Sequence, residues 1–330
     1  MTKFMKTKSW FTACTMVGAG ALALSMIPTA DAKYPERPIE VVVKAGPGSG
    51  ANVLGHKVAQ ILPKYLGGSA VALYKKGGSG AVAQAYIQKR KANGYQIFLD
   101  TTTTAIVLAR GKVPFTGKSW IGVTRMQVDP QGVGVRADSK WKTFDDLAKW
   151  IKANPGKLRW TGAHSVGMDP YTVDLLLKSA KLKKTDIKYV PSRKANKMKA
   201  MLLGNHVDAA ILNPGEIIDQ VKAGKLHMLG VAWDKRLKRH PEWPTFKEGG
   251  YNVKAAIWRG VLVKKGTPKK IVNALHKALV KVMKDPDYKK YLSKQTVLNG
   301  YMGGPKQFTK FFRNQVKDLK KHFGKKKKKM

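Results

Sequence analysis

The residues best placed to do chemistry stand in KAGPGSGANVLG, Lys44 to Gly55. Four glycines and a proline separate the apolar run Ile39–Val43 from a segment of helical character. A strand, a Gly-rich turn and a helix start present backbone N–H groups at a positive dipole end, which suits an anion. The bland alternative is a turn that only connects a strand to a helix. A second turn of the same kind, Gly77 to Ala81, favours the anion cradle.

Nucleotide chemistry is excluded on spacing. Gly46, Gly48 and Ala51 fit a loose G-x-G-x-x-A, but a dinucleotide site also needs an acidic residue about 20 positions on for the ribose. No Asp or Glu stands between Glu40 and Asp100. A phosphate loop would close on G-K-[ST], and Gly55-His56-Lys57 does not supply it. Hydrolase chemistry lacks a G-x-S-x-G elbow. No two of the seven histidines stand three to five residues apart, so zinc spacing is missing. His164 and Ser165 adjoin in a polar loop with no orienting acid, and Asp145 and Asp146 suit a helix start better than a general acid and base. No enzyme activity, metal or cofactor is expected.

The elements that position the two turns alternate strand and helix. Ile39–Ala45, Ala70–Lys75 and Tyr95–Asp100 read as strands, with helices over about 51–66 and 77–92. Such alternation means a parallel sheet covered by helices on both faces, with ligands at the carboxyl ends of the strands. The strand Gly132–Asp138 leaves this unit, and Thr143 caps a helix. A second α/β unit follows, with strands LRWTGA, IKYVP, VDAAIL and HMLGVAW and helices over about 170–180, 195–203 and 215–223. Ala255–Lys264 reads as a return strand, then come a long helix from Pro268 to about Asp285 and a last one over 305–323. The reading is two lobes: residues 33–135 with 255–323, and residues 136–254.

The chain has 330 residues and a net charge of +43, with 63 Lys and Arg against 20 Asp and Glu. The lysines are spread over almost every helix, which reads as a solvated basic surface rather than a nucleic-acid stripe. Residues 1–32 carry Lys3, Lys6 and Lys8, an apolar run over Phe11–Met26 and the A-x-A site at Ala30–Ala32, which is the pattern of a cleaved secretory signal peptide. The single cysteine, Cys14, falls inside it. No later run of 18 apolar residues suggests a membrane span. The tail, residues 324–330, is Lys-rich and is expected to be disordered.

From Tyr34 to Phe323 the chain resembles the substrate-binding proteins of tripartite tricarboxylate transporters. The likeness rests on YPERPIEVVVKAGPGSGANVLG, KKGGSGAVAQAYIQKRKANGYQIFL, VGVRADSKWKTFDDLAKWIKANPGKLRW, TGAHSVGMDP, LLGNHVDAAILNPGEIIDQVKAGKLHMLGVA and IWRGVLVKKGTP, in that order and spacing. The resemblance implies a two-lobed α/β fold of the type II periplasmic-binding kind, each lobe a mostly parallel sheet flanked by helices. It implies reversible capture of a small carboxylate between the lobes by a periplasmic monomer, and delivery to membrane permease subunits. Carried over, the first lobe would supply Gly48, Ser49, Gly50 and Asn52, then Gly78, Ser79, Gly80 and Ala81, with Thr102 and Thr103 facing the cleft. The second would supply His164, Ser165, Gly167, Asp169 and Asn213.

Departures stand at Asn52, where the family often has an acid, and at His164, Ser165, Arg193 and Lys194, where it has small residues. His164 either donates to a ligand carboxylate or packs its loop. Arg193 either clamps a carboxylate or is a solvated cation. The competing classes are an exported α/β enzyme acting on a small acid and a polyanion-binding surface protein.

Overall fold

The structure, a computed structural model, describes residues 34–47, 49–162, 167–192 and 195–323. The signal-peptide reading of residues 1–32 and the tail reading of 324–330 lie outside these residues.

The run Ile39–Val43 (β1) is almost wholly buried, as expected of a central parallel strand covered on both faces. It pairs in parallel with Ala70–Tyr74 (β2) and Gln96–Thr101 (β3). Between these strands lie Gly50–Leu66 (α1) and, after a 3-10 turn at Gly78–Gly80, Ala81–Gln88 (α2). Thr102–Ala109 (α3) follows β3 directly, and Trp120–Pro130 (β4) completes this first pass.

The chain then enters a second sheet. Its elements are Gly132–Arg136 (β5), Phe144–Ala153 (α4), Leu158–Gly162 (β6), Met168–Ser179 (α5), Ile187–Pro191 (β7), Ala195–Leu203 (α6), Ala209–Leu212 (β8), Ile218–Lys222 (α7) and Leu226–Val231 (β9). It returns to the first sheet through Ala256–Lys264 (β10), Lys269–Lys284 (α8), Pro286–Ser293 (α9), Leu298–Asn299 (β11) and Pro305–Phe323 (α10).

The strand orders are β11-β4-β10-β3-β1-β2 and β7-β6-β8-β5-β9. The architecture is two α/β lobes, but each sheet is mixed rather than mostly parallel. The parallel pairs come from the strand–helix–strand units. The strands that carry the chain between sheets, β4, β5 and β10, run antiparallel to their neighbours because each arrives from the opposite direction. Among the described residues β5 pairs with β8 and β9, so the second sheet begins at Gly132.

One face of the first sheet packs Val41, Val43 and Leu99 against Leu54 and Val58 of α1 and Leu275 and Leu279 of α8 in one core. The other face packs Val42 and Phe98 with Phe308 and Phe312 of α10. Trp258 meets the Phe308 ring edge-on, with centroids 5.3 Å apart. α10 then runs beyond this sheet. In its last turn His322 Nε2 lies 3.0 Å from Asp174 Oδ2 in α5, and the His322 ring packs edge-on to Tyr171. Burial holds the His322 imidazole below its usual pKa, with Asp174 opposing that shift.

The two chain crossings are bonded to each other. Gln131 N donates to Ala255 O at 3.0 Å, Ala232 N donates to Gln131 O at 2.7 Å, and Ala255 N donates to Ala232 O at 3.0 Å.

Candidate functional site

The first Gly-rich turn makes α1 begin at the carboxyl end of β1. Ser49 is its cap: Oγ accepts from Asn52 N at 3.3 Å and donates to Gly46 O at 2.8 Å. The Gly50 and Ala51 amides of the same turn have no acceptor within the helix, because the first turn of any helix lacks one. Asn52 is buried and donates from Nδ2 to Ala45 O at 3.4 Å, so it braces the loop from behind.

The second turn is unusual in its backbone. Gly77, Gly78, Ser79 and Gly80 have φ of 134°, 52°, 55° and 102°. Ser79 is the one residue of the four whose side chain disfavours this region, and such strain collects at ligand sites. At Gly80 a Cβ would fall 2.5 Å from Lys44 Cδ, so only glycine lets this turn close over the lysine.

A third helix start joins them. Thr101 caps α3, accepting from Thr103 N at 3.2 Å and donating to Thr103 Oγ1 at 3.1 Å. Lys44 Nζ donates to Thr101 Oγ1 at 3.3 Å and lies 3.0 Å from Asp100 Oδ1. Thr102, in contrast, is fully buried; its hydroxyl accepts from Trp258 N at 3.0 Å and therefore ties α3 to β10. No acidic residue stands in the first turn of α1, α2 or α3. Acids there are the ordinary stabilising choice, so three helix starts converge with their positive ends uncompensated.

Two buried carboxylates sit one level below. Burial pushes the Asp100 carboxyl above the usual range, against the pull of Lys44. Burial likewise raises Asp129, against the pull of Arg259, whose Nη2 lies 2.9 Å from Asp129 Oδ2. The Arg259 Nη1 also donates to Gln127 Oε1 at 3.4 Å. A Cβ at Gly50 would fall 2.9 Å from Arg259 Nη2, so the guanidinium backs directly onto the mouth of α1.

From the second sheet, Asn213 Nδ2 donates to the backbone O of Asp129 at 3.1 Å. Asp169, in the first turn of α5, accepts from Gln131 Nε2 at 2.7 Å, and Thr172 donates to the Oε1 of the same glutamine. Gly167 caps α5. Burial raises the pKa of the neighbouring Tyr189 phenol, and Asp169 adds to it.

Of the residues read from the sequence, Ser49, Gly50, Asn52, Gly78, Ser79, Gly80, Ala81, Thr101's neighbour Thr103, Asp169 and Asn213 gather around the strand ends and the crossing Asp129–Gln131. Gly48, His164, Ser165 and Arg193 lie outside the described residues. Sequence reasoning missed Lys44, Asp100, Asp129, Gln131 and Arg259. The available signal was an ionisable residue at or inside an otherwise apolar strand, as in IEVVVK and AIWRGVLVK. Among the described residues no group of three or more His, Cys, Asp or Glu could hold a metal ion.

Comparison with known proteins places the chain in a family. The family model of TctC, the tripartite tricarboxylate transporter family receptor, matches residues 54–326. A "UPF0065 protein in gbd 5'region" of Cupriavidus necator is 29% identical over 311 residues, covering 91% of each chain. A TctC solute binding protein from Polaromonas, solved without ligand, superposes with a TM-score of 0.78 at 28% identity, over 88% of this chain and 99% of that one. MatC from Rhodopseudomonas palustris, solved with bound malate, shares the fold with a TM-score of 0.72 at 18% identity, over 87% and 99%. The family model is that of a transporter receptor and the Polaromonas neighbour is a solute binding protein, and the chain belongs to the tripartite tricarboxylate transporter receptor family.

Proposed function

We propose that the protein is a periplasmic receptor that closes two lobes over a small organic acid and presents it to the membrane subunits of its transporter. The lobes in this reading are the two sheets with their helices, divided at the crossings Gln131 and Ala232–Ala255. The observation that carries it is the convergence of three acid-free helix starts on the carboxyl end of the first sheet. Backbone amides from Gly50, Ala51 and the Gly78–Ala81 turn would hold one carboxylate, with the Thr103 hydroxyl beside them.

Asp169 and Asn213 act indirectly in this reading, by fixing the crossing strand against the second sheet. By the family resemblance, Gly48 would belong to this first-lobe loop, and His164, Ser165, Gly167 and Arg193 would come from the second lobe to meet the far end of the acid. Malate bound to MatC supports a carboxylate as the ligand class, through a shared fold. Export through the leader pattern in residues 1–32 would place such a receptor outside the cytoplasmic membrane. No helix among the described residues is long and apolar enough to cross a membrane.

The test is a thermal-shift panel of mono-, di- and tricarboxylates on the purified mature chain. A ligand present at 100 times its Kd adds about 2.7 kcal/mol of stability by mass action. A dose-dependent rise in melting temperature with at least one acid is expected. A flat response across the panel would sink the reading.

A further inference from the structure

We infer that Arg259 is the charge-reading residue of the ligand site, selecting an ionised carboxylate over its neutral amide at the mouth of α1. This rests on the receptor reading above and deepens it. Three observations converge on Arg259. Its guanidinium backs onto Gly50, an exposed residue at the first helical position of α1. A cation there opposes the helix dipole, whose positive end is at the same spot. The arrangement is therefore poised for an anion, which both charges favour.

Its counter-ion is incomplete. Asp129 Oδ2 takes the Arg259 Nη2 contact at 2.9 Å, while Asp129 Oδ1 is buried and accepts no hydrogen bond from any described residue. Of the five guanidinium donors, Nη2 serves one carboxylate oxygen and Nη1 serves Gln127 Oε1 at 3.4 Å, so among the described residues the charge is met by one carboxylate oxygen alone. The Nη2, Cζ and Nε atoms all lie 2.9–3.2 Å from where a Gly50 Cβ would stand, so the guanidinium packs close against the α1 mouth with its charge beside the free amides. Lys44, the other cation of the strand ends, is more enclosed: its side chain is 7% exposed against 12% for Arg259, and it is committed to Asp100 and Thr101. Of these two cations, Arg259 is the less enclosed.

Removing the counter-charge and removing the cation should then have opposite effects, which a structural role would not produce. Asp129→Asn keeps the shape and the acceptor oxygen but leaves Arg259 uncompensated. Affinity for the best acid of the panel, by calorimetry, should tighten at least threefold. The Asp129→Asn/Arg259→Gln pair keeps a hydrogen-bonded neutral couple in place and should bind the same acid at least tenfold more weakly. Discrimination between succinate and its monoamide should rise in the first variant and collapse in the second.

Affinity in the double variant within twofold of wild type would overturn the inference, and so would unchanged or weaker binding in Asp129→Asn. Because the single isosteric variant leaves the cation partly exposed, it reads the effect even if the pair fails to fold. A wild type that binds no acid at all would sink the receptor reading itself, and this inference with it.

Discussion

Lys44 and Asp100 form an ion pair at 3.0 Å in which the lysine side chain is 7% exposed and the aspartate is fully buried. The pair joins the end of β1 to the end of β3 directly beneath the second Gly-rich turn. Breaking a buried pair by removing one partner leaves an uncompensated charge and costs about 3–5 kcal/mol. Asp100→Ala should lose that much in urea unfolding. The double replacement Lys44→Met/Asp100→Leu should recover most of it, since an apolar pair of similar volume is often neutral. A double variant as unstable as Asp100→Ala would mean that the loss came from packing.

Gly80 and Gly111 separate two causes of strain. Both have positive φ, 102° and 64°, so alanine at either should cost about 1–2 kcal/mol from backbone conformation. At Gly111 no atom lies within 4 Å of the added carbon, but at Gly80 Lys44 Cδ lies at 2.5 Å. Gly80→Ala should therefore lose measurably more stability than Gly111→Ala. Equal losses would show that the lysine chain yields.

Ser49 uses its hydroxyl as a cap, toward Asn52 N and Gly46 O. Ser49→Ala should lower stability by about 1 kcal/mol. Ser49→Asp restores a capping acceptor and should recover stability, while its charge at the α1 mouth should abolish acid binding. Retained acid binding in that variant would place the carboxylate elsewhere.

Asp285 gives a signed pH dependence. Tyr65 Oη and Lys64 Nζ donate to its Oδ2 at 2.7 and 2.9 Å, and these bonds hold its carboxyl down to about 2. A depressed folded pKa stabilises above the unfolded value, near 3.9, and the gain is lost as pH falls toward the folded value. Asp285→Asn should be less stable than wild type at pH 6, and the gap should shrink between about pH 4 and pH 2. A gap that stays constant through that range would show that the carboxylate charge does not matter.

The outline of the fold was legible where pattern and punctuation agree. The strand Ile39–Val43, the Gly-rich turn and α1 are visible because a buried apolar run meets glycines and then a clear apolar stripe. The first missed helix, α3, begins Thr102-Thr103-Thr104, and β-branched runs read as strand or loop. Seven of its eight residues are buried, so it shows no stripe to detect. β4 was missed because Thr124, Gln127 and Asp129 are polar yet buried, which interrupts any alternation.

The candidate site was legible in its loops and not in its charges. Glycine turns announce themselves locally. Lys44 and Arg259 do not, because two cations among 63 look like surface. Their meaning comes from Asp100 and Asp129, which reach them only through strand order. Asn213 was read as a ligand contact, and its amide holds the backbone of the crossing strand, a role that no local pattern encodes.

The closed ring of backbone bonds among Gln131, Ala232 and Ala255 has a mechanical meaning. Two ribbons laced together at one point act as a flexure and not as a pin joint. They can twist and bend as a pair, but one cannot slide along the other without breaking the ring. Any change in the angle between the sheets must therefore store elastic torsion in the strands on either side, β4 and β5 on one ribbon, β9 and β10 on the other. If the sheets close over a ligand as proposed, that torsion resists closure and favours reopening.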